Sequence, residues 1–326
     1  SASWETAGPA ELNWDTTQIP ALISLLDQGG TRGFLLLQDG KIALEHYAGN
    51  GLVFNQPFNR DSRWYWASAS KTLTAAAVGE AQADGLLDIN APSSTYLGAG
   101  WSGMTPEREN AITVRHHLTM TTGLDYRVAD QNSTAVADLD YLAEPGTLWY
   151  YYNAPYSLLK DVVAGATGET FDDYFDRKIA APIGITGSWE DVGGSNMYFS
   201  SPRSMARFGL LVLNDGRWQN TPVLNPDFLR ASTTTSQQLN PSYGYLWWLN
   251  GKESFRLPGT TLSFNDNIIP NAPADMVCGL GRNSQYVCVI PSKNMVLVRM
   301  GDDPDESPVP LTFLNDICGV LNNIIR

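Results

Sequence analysis

Long apolar runs are missing from this sequence. No stretch approaches the roughly eighteen residues a membrane-spanning helix needs, so no span is expected. Clusters of Lys and Arg are missing too. The 21 basic residues stand against 34 acidic ones, a net charge of −13. A field of that sign repels phosphate backbones and anionic surfaces, and nucleic acid is not expected as a partner. Histidine is scarce: His46, His116 and His117 form no H-E-x-x-H pattern, and Cys278, Cys288 and Cys318 form no C-x-x-C. A metal site has little to stand on, and neither a metal nor an organic cofactor is expected. The same scarcity counts against a Ser-His-Asp triad, because His116 and His117 fall in a helical pattern and His46 in a strand pattern. Repeats, low-complexity tracts and linker-like stretches are also absent, so the parts of the chain should pack directly on one another.

What is present suits a packed fold. The chain has 326 residues, 43% hydrophobic and 17% charged, enough for one large or two intimately packed domains. Its start, SASWETAGPA, lacks Met, as a processed or trimmed start would, and a removed export signal would imply a periplasmic or secreted protein. The cysteines are either buried thiols or, for Cys278 and Cys288, partners across a hairpin whose turn is Arg282-Asn283-Ser284-Gln285. The second reading permits a disulfide and favours an oxidising compartment.

Periodicity divides the chain. A short helix is expected near 18–28, followed by a hairpin over 33–49 turning at Asp39-Gly40. An Ala-rich helix from Ser68 to about Asp84 is apolar almost all round and belongs in a core, with Gly85 ending it. Residues 86–240 carry mostly helical periodicity broken by Gly and Pro. Strand patterns return after 241, with a last helix from about 310 to 325. The expected fold is α+β: an antiparallel sheet flanked by helices, built from 1–85 and 241–326, with a mainly helical subdomain, 86–240, and a site in the cleft between them.

Serine chemistry without a usable histidine needs another activator. Ser68-Ala69-Ser70-Lys71 puts a hydroxyl and an amine three residues apart on one helix face. Ser157-Leu158-Leu159-Lys160 has the same spacing, but sits in an amphipathic helix where Lys160 most easily points to water. Ser68 instead follows the aromatic, strand-like Arg63-Trp64-Tyr65-Trp66-Ala67 and opens a buried helix. Its N–H is then among the unpaired donors of a helix start and suited to stabilise an oxyanion. A lysine one turn into that helix loses hydration, which lowers its pKa and makes a neutral amine accessible. The second constellation, Tyr151-Tyr152-Asn153, lies in an aromatic extended stretch before an Asn-Ala-Pro turn. Read alone, these tyrosines are a packing cluster.

With these motifs in order, the chain resembles the serine β-lactamase and penicillin-binding-protein superfamily, in the branch of class C β-lactamases, lactamase-like esterases and 6-aminohexanoate-oligomer hydrolases. Further similar stretches are His116–Tyr126, Thr167–Ile185, Ser201–Trp218 and Tyr286–Gly301. The resemblance implies a β-lactamase/transpeptidase-like fold and assigns roles. Ser68 is the nucleophile that forms an acyl-enzyme, and Lys71 takes or relays its proton. Tyr151 protonates the leaving group and later helps activate water, and Asn153 orients the substrate amide. A basic role for Tyr151 would need a cation beside it, with Lys71 as candidate, the two titrating as a coupled pair. The strand that bears K-T-G or H-x-G in the family corresponds to Cys278-Gly279-Leu280-Gly281-Arg282, without Lys or His. An N–H near Gly281 or Arg282 would complete the oxyanion site with that of Ser68, and Arg282 is the one available substitute for the missing cation.

The expected activity is therefore hydrolysis of a small-molecule ester, amide or peptide-like substrate. A carboxylesterase or linear-amide hydrolase ranks first, then a β-lactamase, then a D-Ala-D-Ala carboxypeptidase. The reading from another class is a non-catalytic binding or sensor protein on the same fold.

Overall fold

The computed structural model describes residues 4–53, 56–305 and 310–325; the start of the chain that suggested processing, 1–3, lies outside them. Its centre is a six-stranded sheet. In spatial order the strands are Lys41–Tyr47, Thr31–Gln38, Met295–Gly301, Gln285–Ile290, Val277–Gly281 and Trp248–Leu249, and every neighbouring pair is antiparallel. The hairpin near the N-terminus thus joins a C-terminal strand, with Leu35 opposite Val298. Strand patterns at both ends of the sequence meet because each alone leaves an unpaired edge.

Alternation along Met295–Gly301 sends successive side chains to opposite faces. Val296 faces the helix Pro202–Leu213, where a Cβ on Gly209 would crowd Val296 and Val287. Arg299, on the other face, lies against Phe313 of the helix Thr312–Ile324, its guanidinium 5.2 Å from the ring centroid. Helices therefore cover both faces, giving the α+β sandwich expected of a β-lactamase/transpeptidase-like fold. Arg299 is fully buried, and its donors reach oxygens of Thr31, Asn283, Ser284, Gly29 and Asp302 at 2.6–3.1 Å. Burial lowers its pKa to about 10, and the five oxygens replace the hydration it gives up.

Within 86–240 the structure is less helical than its periodicity suggests. Helices Asn153–Thr167 and Pro202–Leu213 form as read, and the second of these lies on the sheet. Between them a β-hairpin, Gly187–Val192 and Ser195–Ser200, pairs with the short strand Trp64–Tyr65. A second, smaller apolar cluster around Trp101, Ile112, Leu124, Leu139, Tyr150 and Tyr152 packs against the start of helix Asn153–Thr167. Among the described residues no helix is long and apolar enough to cross a membrane.

Cys278 and Cys288 are directly opposed in the hairpin and form a disulfide, while Cys318 is a buried free thiol. The bond closes a loop with a sequence separation of 10, which in the chain-entropy account stabilises by about 2–3 kcal/mol. The double substitution Cys278→Ser and Cys288→Ser is expected to lower unfolding stability by that amount in urea titration. A reductant should produce the same loss in the wild type and none in the variant.

Candidate active site

The site begins where the strand Trp64–Tyr65 ends. Trp66 is fully buried, its N–H donates to Tyr198 O at 2.9 Å and its indole to Ser200 Oγ at 2.8 Å. Ser70 Oγ accepts from Tyr198 N at 2.9 Å. Between these anchors the chain turns through Ala67 at φ +48°, a left-handed conformation that costs a residue with a Cβ roughly 1–3 kcal/mol. The expected single helix from Ser68 is in fact two elements: a 3₁₀ turn, Ala67–Ser70, and the α-helix Lys71–Ala83. Side chains three apart eclipse each other in 3₁₀ geometry, and Lys71 Nζ accordingly lies 3.2 Å from Ser68 Oγ.

Lys71 is 4% exposed and has no ion-pair partner among the described residues. Its amine donates to Asn153 Oδ1 at 3.0 Å and lies 4.2 Å from the Tyr156 ring centroid and 5.1 Å from that of Tyr151. Burial pulls its pKa down to about 7, so the unprotonated amine is well populated near neutrality. Burial pushes the Tyr151 phenol the other way, above the usual tyrosine range, and the neighbouring Ser68 hydroxyl opposes this only in part. Of the two groups, only the lysine changes its protonation state near neutrality, and the tyrosine keeps its proton there.

Tyr151 and Asn153 are placed by the extended run before the helix. Alternation sends Trp149 and Tyr151 toward Tyr243 and Trp248, with Tyr151 stacked on Trp248 at 5.8 Å. Tyr150 and Tyr152 go to the smaller cluster instead, where Tyr150 stacks on Tyr126 at 3.6 Å. Asn153 is the first residue of the helix rather than its cap. Its Nδ2 donates to Asn132 Oδ1 at 3.0 Å, which fixes which end of the amide faces Lys71. Behind it, His117 is fully buried, its pKa lowered to about 4 by desolvation, with Nδ1 2.6 Å from Pro155 O and Nε2 2.8 Å from Ser93 Oγ. This histidine ties the helix start at Pro155 to Ser93.

The strand Val277–Gly281 forms the opposite wall. Its outer edge pairs with Trp248–Leu249 only as far as Cys278, and beyond that it lies against the Ser68 turn. Glycine permits this approach. A Cβ on Gly281 would overlap the Trp66 carbonyl and sit 3.1 Å from Ala69 N, and one on Gly279 would sit 3.0 Å from Thr72 Cγ2. The following turn is left-handed at Asn283 and Ser284, both φ +60°. Arg299 and Gln285 hold its carbonyls, and Asn283 Nδ2 donates to Tyr65 OH at 2.8 Å.

Two cavities meet at Ser68. One, of about 120 Å³, is lined by Ser68, Tyr151, Trp248, Leu257, Leu280 and Leu311. The other, of about 420 Å³, is lined by Ser68, Tyr65, Asn132, Asn153, Val192 and Met197. Arg282 is exposed and borders both. The residues read from the sequence, Ser68, Lys71, Tyr151, Asn153, Gly281 and Arg282, thus lie around one cleft. Sequence reasoning missed Asn132, Tyr65, Trp248 and Asn283, which come from loops and strand ends with no local signature. It also misplaced Lys160. The amine does not reach into water but lies 3.5 Å from the Trp189 ring centroid, bonded to Asn196. Ser157 Oγ donates to Asn153 O at 3.0 Å, so this pair shares no hydrogen bond.

The beta-lactamase family model matches residues 22–311. The chain is similar to a beta-lactamase of Escherichia coli, 26% identical over 144 residues, 42% of this chain and 37% of that protein. It is also similar to esterase EstB of Burkholderia gladioli, 27% identical over 153 residues, 40% of this chain and 39% of the esterase. These matches span well under half the length of either relative. Among solved structures, a penicillin-binding protein homologue from Caulobacter crescentus has a TM-score of 0.71 at 12% identity, covering 94% of this chain and 97% of the other. That likeness is one of fold.

Because Gly281 packs on the Ser68 turn without room for a methyl group, Gly281→Ala is expected to cost about 1–3 kcal/mol, the usual penalty of overpacking. It should also slow covalent labelling of Ser68. Chemical denaturation and labelling rate check this together; wild-type values for both would contradict the packing argument.

Proposed function

The chain belongs to the beta-lactamase family of serine hydrolases, and from that premise we propose that it cleaves a linear ester or amide through an acyl-enzyme on Ser68. The observation that carries the reading is the buried Lys71 amine 3.2 Å from Ser68 Oγ, with a pKa near 7 and no acid to hold its charge. In this mechanism neutral Lys71 takes the serine proton as Oγ attacks the carbonyl. The Ser68 N–H, without a backbone partner among the described residues, and an N–H at Gly281 or Arg282 on the free edge of the strand receive the oxyanion. Tyr151, kept protonated by its raised pKa, hands its proton to the leaving group, which departs with it, and the serine proton held on Lys71 then replaces the one Tyr151 has lost. Water then attacks the acyl carbonyl by the reverse route, and Asn153 orients the acyl side.

Several features favour a linear substrate. Tyr151 borders the smaller apolar cavity and Asn153 the larger one, so the leaving and acyl halves have separate places on either side of Ser68. The strand that would carry a Lys or His for a lactam or peptide carboxylate has neither, which ranks β-lactamase and carboxypeptidase activity lower. Arg282, bordering both cavities without an ion-pair partner among the described residues, keeps the β-lactamase reading as the second one. The proposed cleft lies between the sheet part, 1–85 and 241–326, and the part 86–240, since Ser68 comes from the first and Asn132 and Asn153 from the second. The cross-strand disulfide supports a periplasmic or secreted location.

Ser68→Ala is expected to abolish acylation by a chromogenic ester, and Tyr151→Phe to lower turnover by about two to four powers of ten. Undiminished turnover by the second variant would remove Tyr151 from the mechanism. The acylation rate should also rise with pH, because only the unprotonated Lys71 accepts the serine proton. The expected profile is one ascending limb centred near 7, with no descent below the ordinary phenol pKa of about 10. A profile with no ascending limb near neutrality would mean that the essential base is not Lys71. Turnover of a cephalosporin exceeding that of esters and linear amides would favour the second reading.

A further inference from the structure

We propose that the cleft continues past Phe199 into a distal subsite that takes the far end of a long, linear, apolar acyl chain; this rests on the Ser68 acyl-enzyme reading. The floor of the path is one face of the hairpin Gly187–Val192 and Ser195–Ser200. Its register pairs Ser188 with Phe199, Glu190 with Met197 and Val192 with Ser195. Alternation puts these six side chains on one face, while Trp189 and Tyr198 on the other are buried in the core. Val192, Ser195 and Met197 border the larger cavity at Ser68, and Glu190 borders a further cavity, also of about 420 Å³, lined by Leu52, Val53, Gln56 and Arg63. Phe199 borders both, so the two spaces adjoin at its side chain.

The chemistry of the far end selects an apolar occupant. Leu52 is 49%, Val53 59% and Val192 50% exposed, three of the seven exposed large apolar side chains among the described residues, and all three lie on this path. Water-facing apolar groups strung along one groove that starts at a nucleophile fit a chain that covers them. The charges nearby are already engaged. Arg63 bonds Ser188 Oγ and the Phe199 carbonyl, and Ser188 Oγ donates to Glu190 at 2.5 Å, so both ions brace the hairpin. The arm in question is the acyl one, because Asn153 borders this side of Ser68 and Tyr151 the other. From Ser195 to Phe199 the strand advances about 13 Å at its usual rise.

The test uses ethyl, hexyl and dodecyl fluorophosphonates below their micelle concentrations. Ser68 Oγ forms a bond to phosphorus, the P–F bond breaks, fluoride leaves and the serine proton passes to Lys71. Rates are followed by intact mass on the wild type and on the pair Leu52→Asp and Val53→Asp. The dodecyl probe is expected to label the wild type roughly tenfold or more faster than the ethyl probe. The Asp pair should lose most of that advantage while its ethyl rate stays within about twofold, since Leu52 and Val53 border only the further cavity and not the one at Ser68. The milder pair Leu52→Ser and Val53→Thr should shift in the same direction. An unchanged dodecyl-to-ethyl ratio in both pairs, or equal loss with both probes, overturns the distal subsite and leaves the Ser68 reading standing. Failure of every probe to label Ser68 in folded wild-type protein overturns that reading, and the subsite with it.

Discussion

An amine that is 4% exposed and has no carboxylate beside it has to give up either its charge or its burial. In Lys71 it gives up charge near neutrality, and the surroundings are arranged around that outcome. Tyr156, Tyr151 and Asn153 supply ring faces and one amide oxygen, which tolerate an ammonium formed in passing without making it permanent. A carboxylate in the place of Asn153 would hold the proton on the amine. The electrostatics of the cleft follow from this one exclusion, including the raised pKa of Tyr151, which shares the same dry pocket.

Keeping that pocket dry requires the wall opposite to come close. The glycines at 279 and 281 let the strand press its edge onto the Ser68 turn, the disulfide ties that strand to its neighbour, and Arg299 fastens the turn beyond it from beneath. The turn at Ala67 carries backbone strain for the same reason. Anchoring of Trp66 and Ser70 by the strand Ser195–Ser200 holds it there. The sheet thus fixes the position of Ser68 relative to the strand end at Gly281, while the helix Asn153–Thr167, pinned through His117, brings Asn153 and the Tyr151 that precedes it from the other side.

The sequence exposed those parts whose physics is local. The β-hairpin at Asp39-Gly40, the buried helix after Ser68 and the strands around Cys278 and Cys288 follow from alternation, turn chemistry and composition. The hairpin 187–200 was legible too, in the Gly193-Gly194 turn between alternating runs, but the helical periodicity on either side masked it. Asn132, Tyr65 and Asn283 were not legible, because their place beside Ser68 depends on chain crossings that no spacing encodes. Lys160 is instructive. It has the same spacing from a serine as Lys71, and desolvation also lowers its pKa to about 7. What separates the two is the partner: Lys71 faces a hydroxyl at the mouth of a cavity, whereas Lys160 faces Asn196 and an indole, and Ser157 turns back to its own helix.

The division of space around Ser68 constrains the substrate more than any one residue does. A cyclic lactam opens without releasing its amine, so its two halves remain tethered and share the region around the acyl-enzyme. A linear ester or amide parts into two pieces, and the leaving piece has to go before water can attack from its side. A small apolar cavity bordered by Tyr151, and a larger one bordered by a hairpin face, suit the second case. Arg282 borders both, its guanidinium without an ion pair among the described residues. It follows Gly281 at the end of the strand and borders both halves of the cleft, so a substrate carboxylate would be met at the junction. On the proposed reading, an anionic group is met near the scissile bond and chain length is read farther out by apolar contact, so the two selections act on separate ends of one substrate.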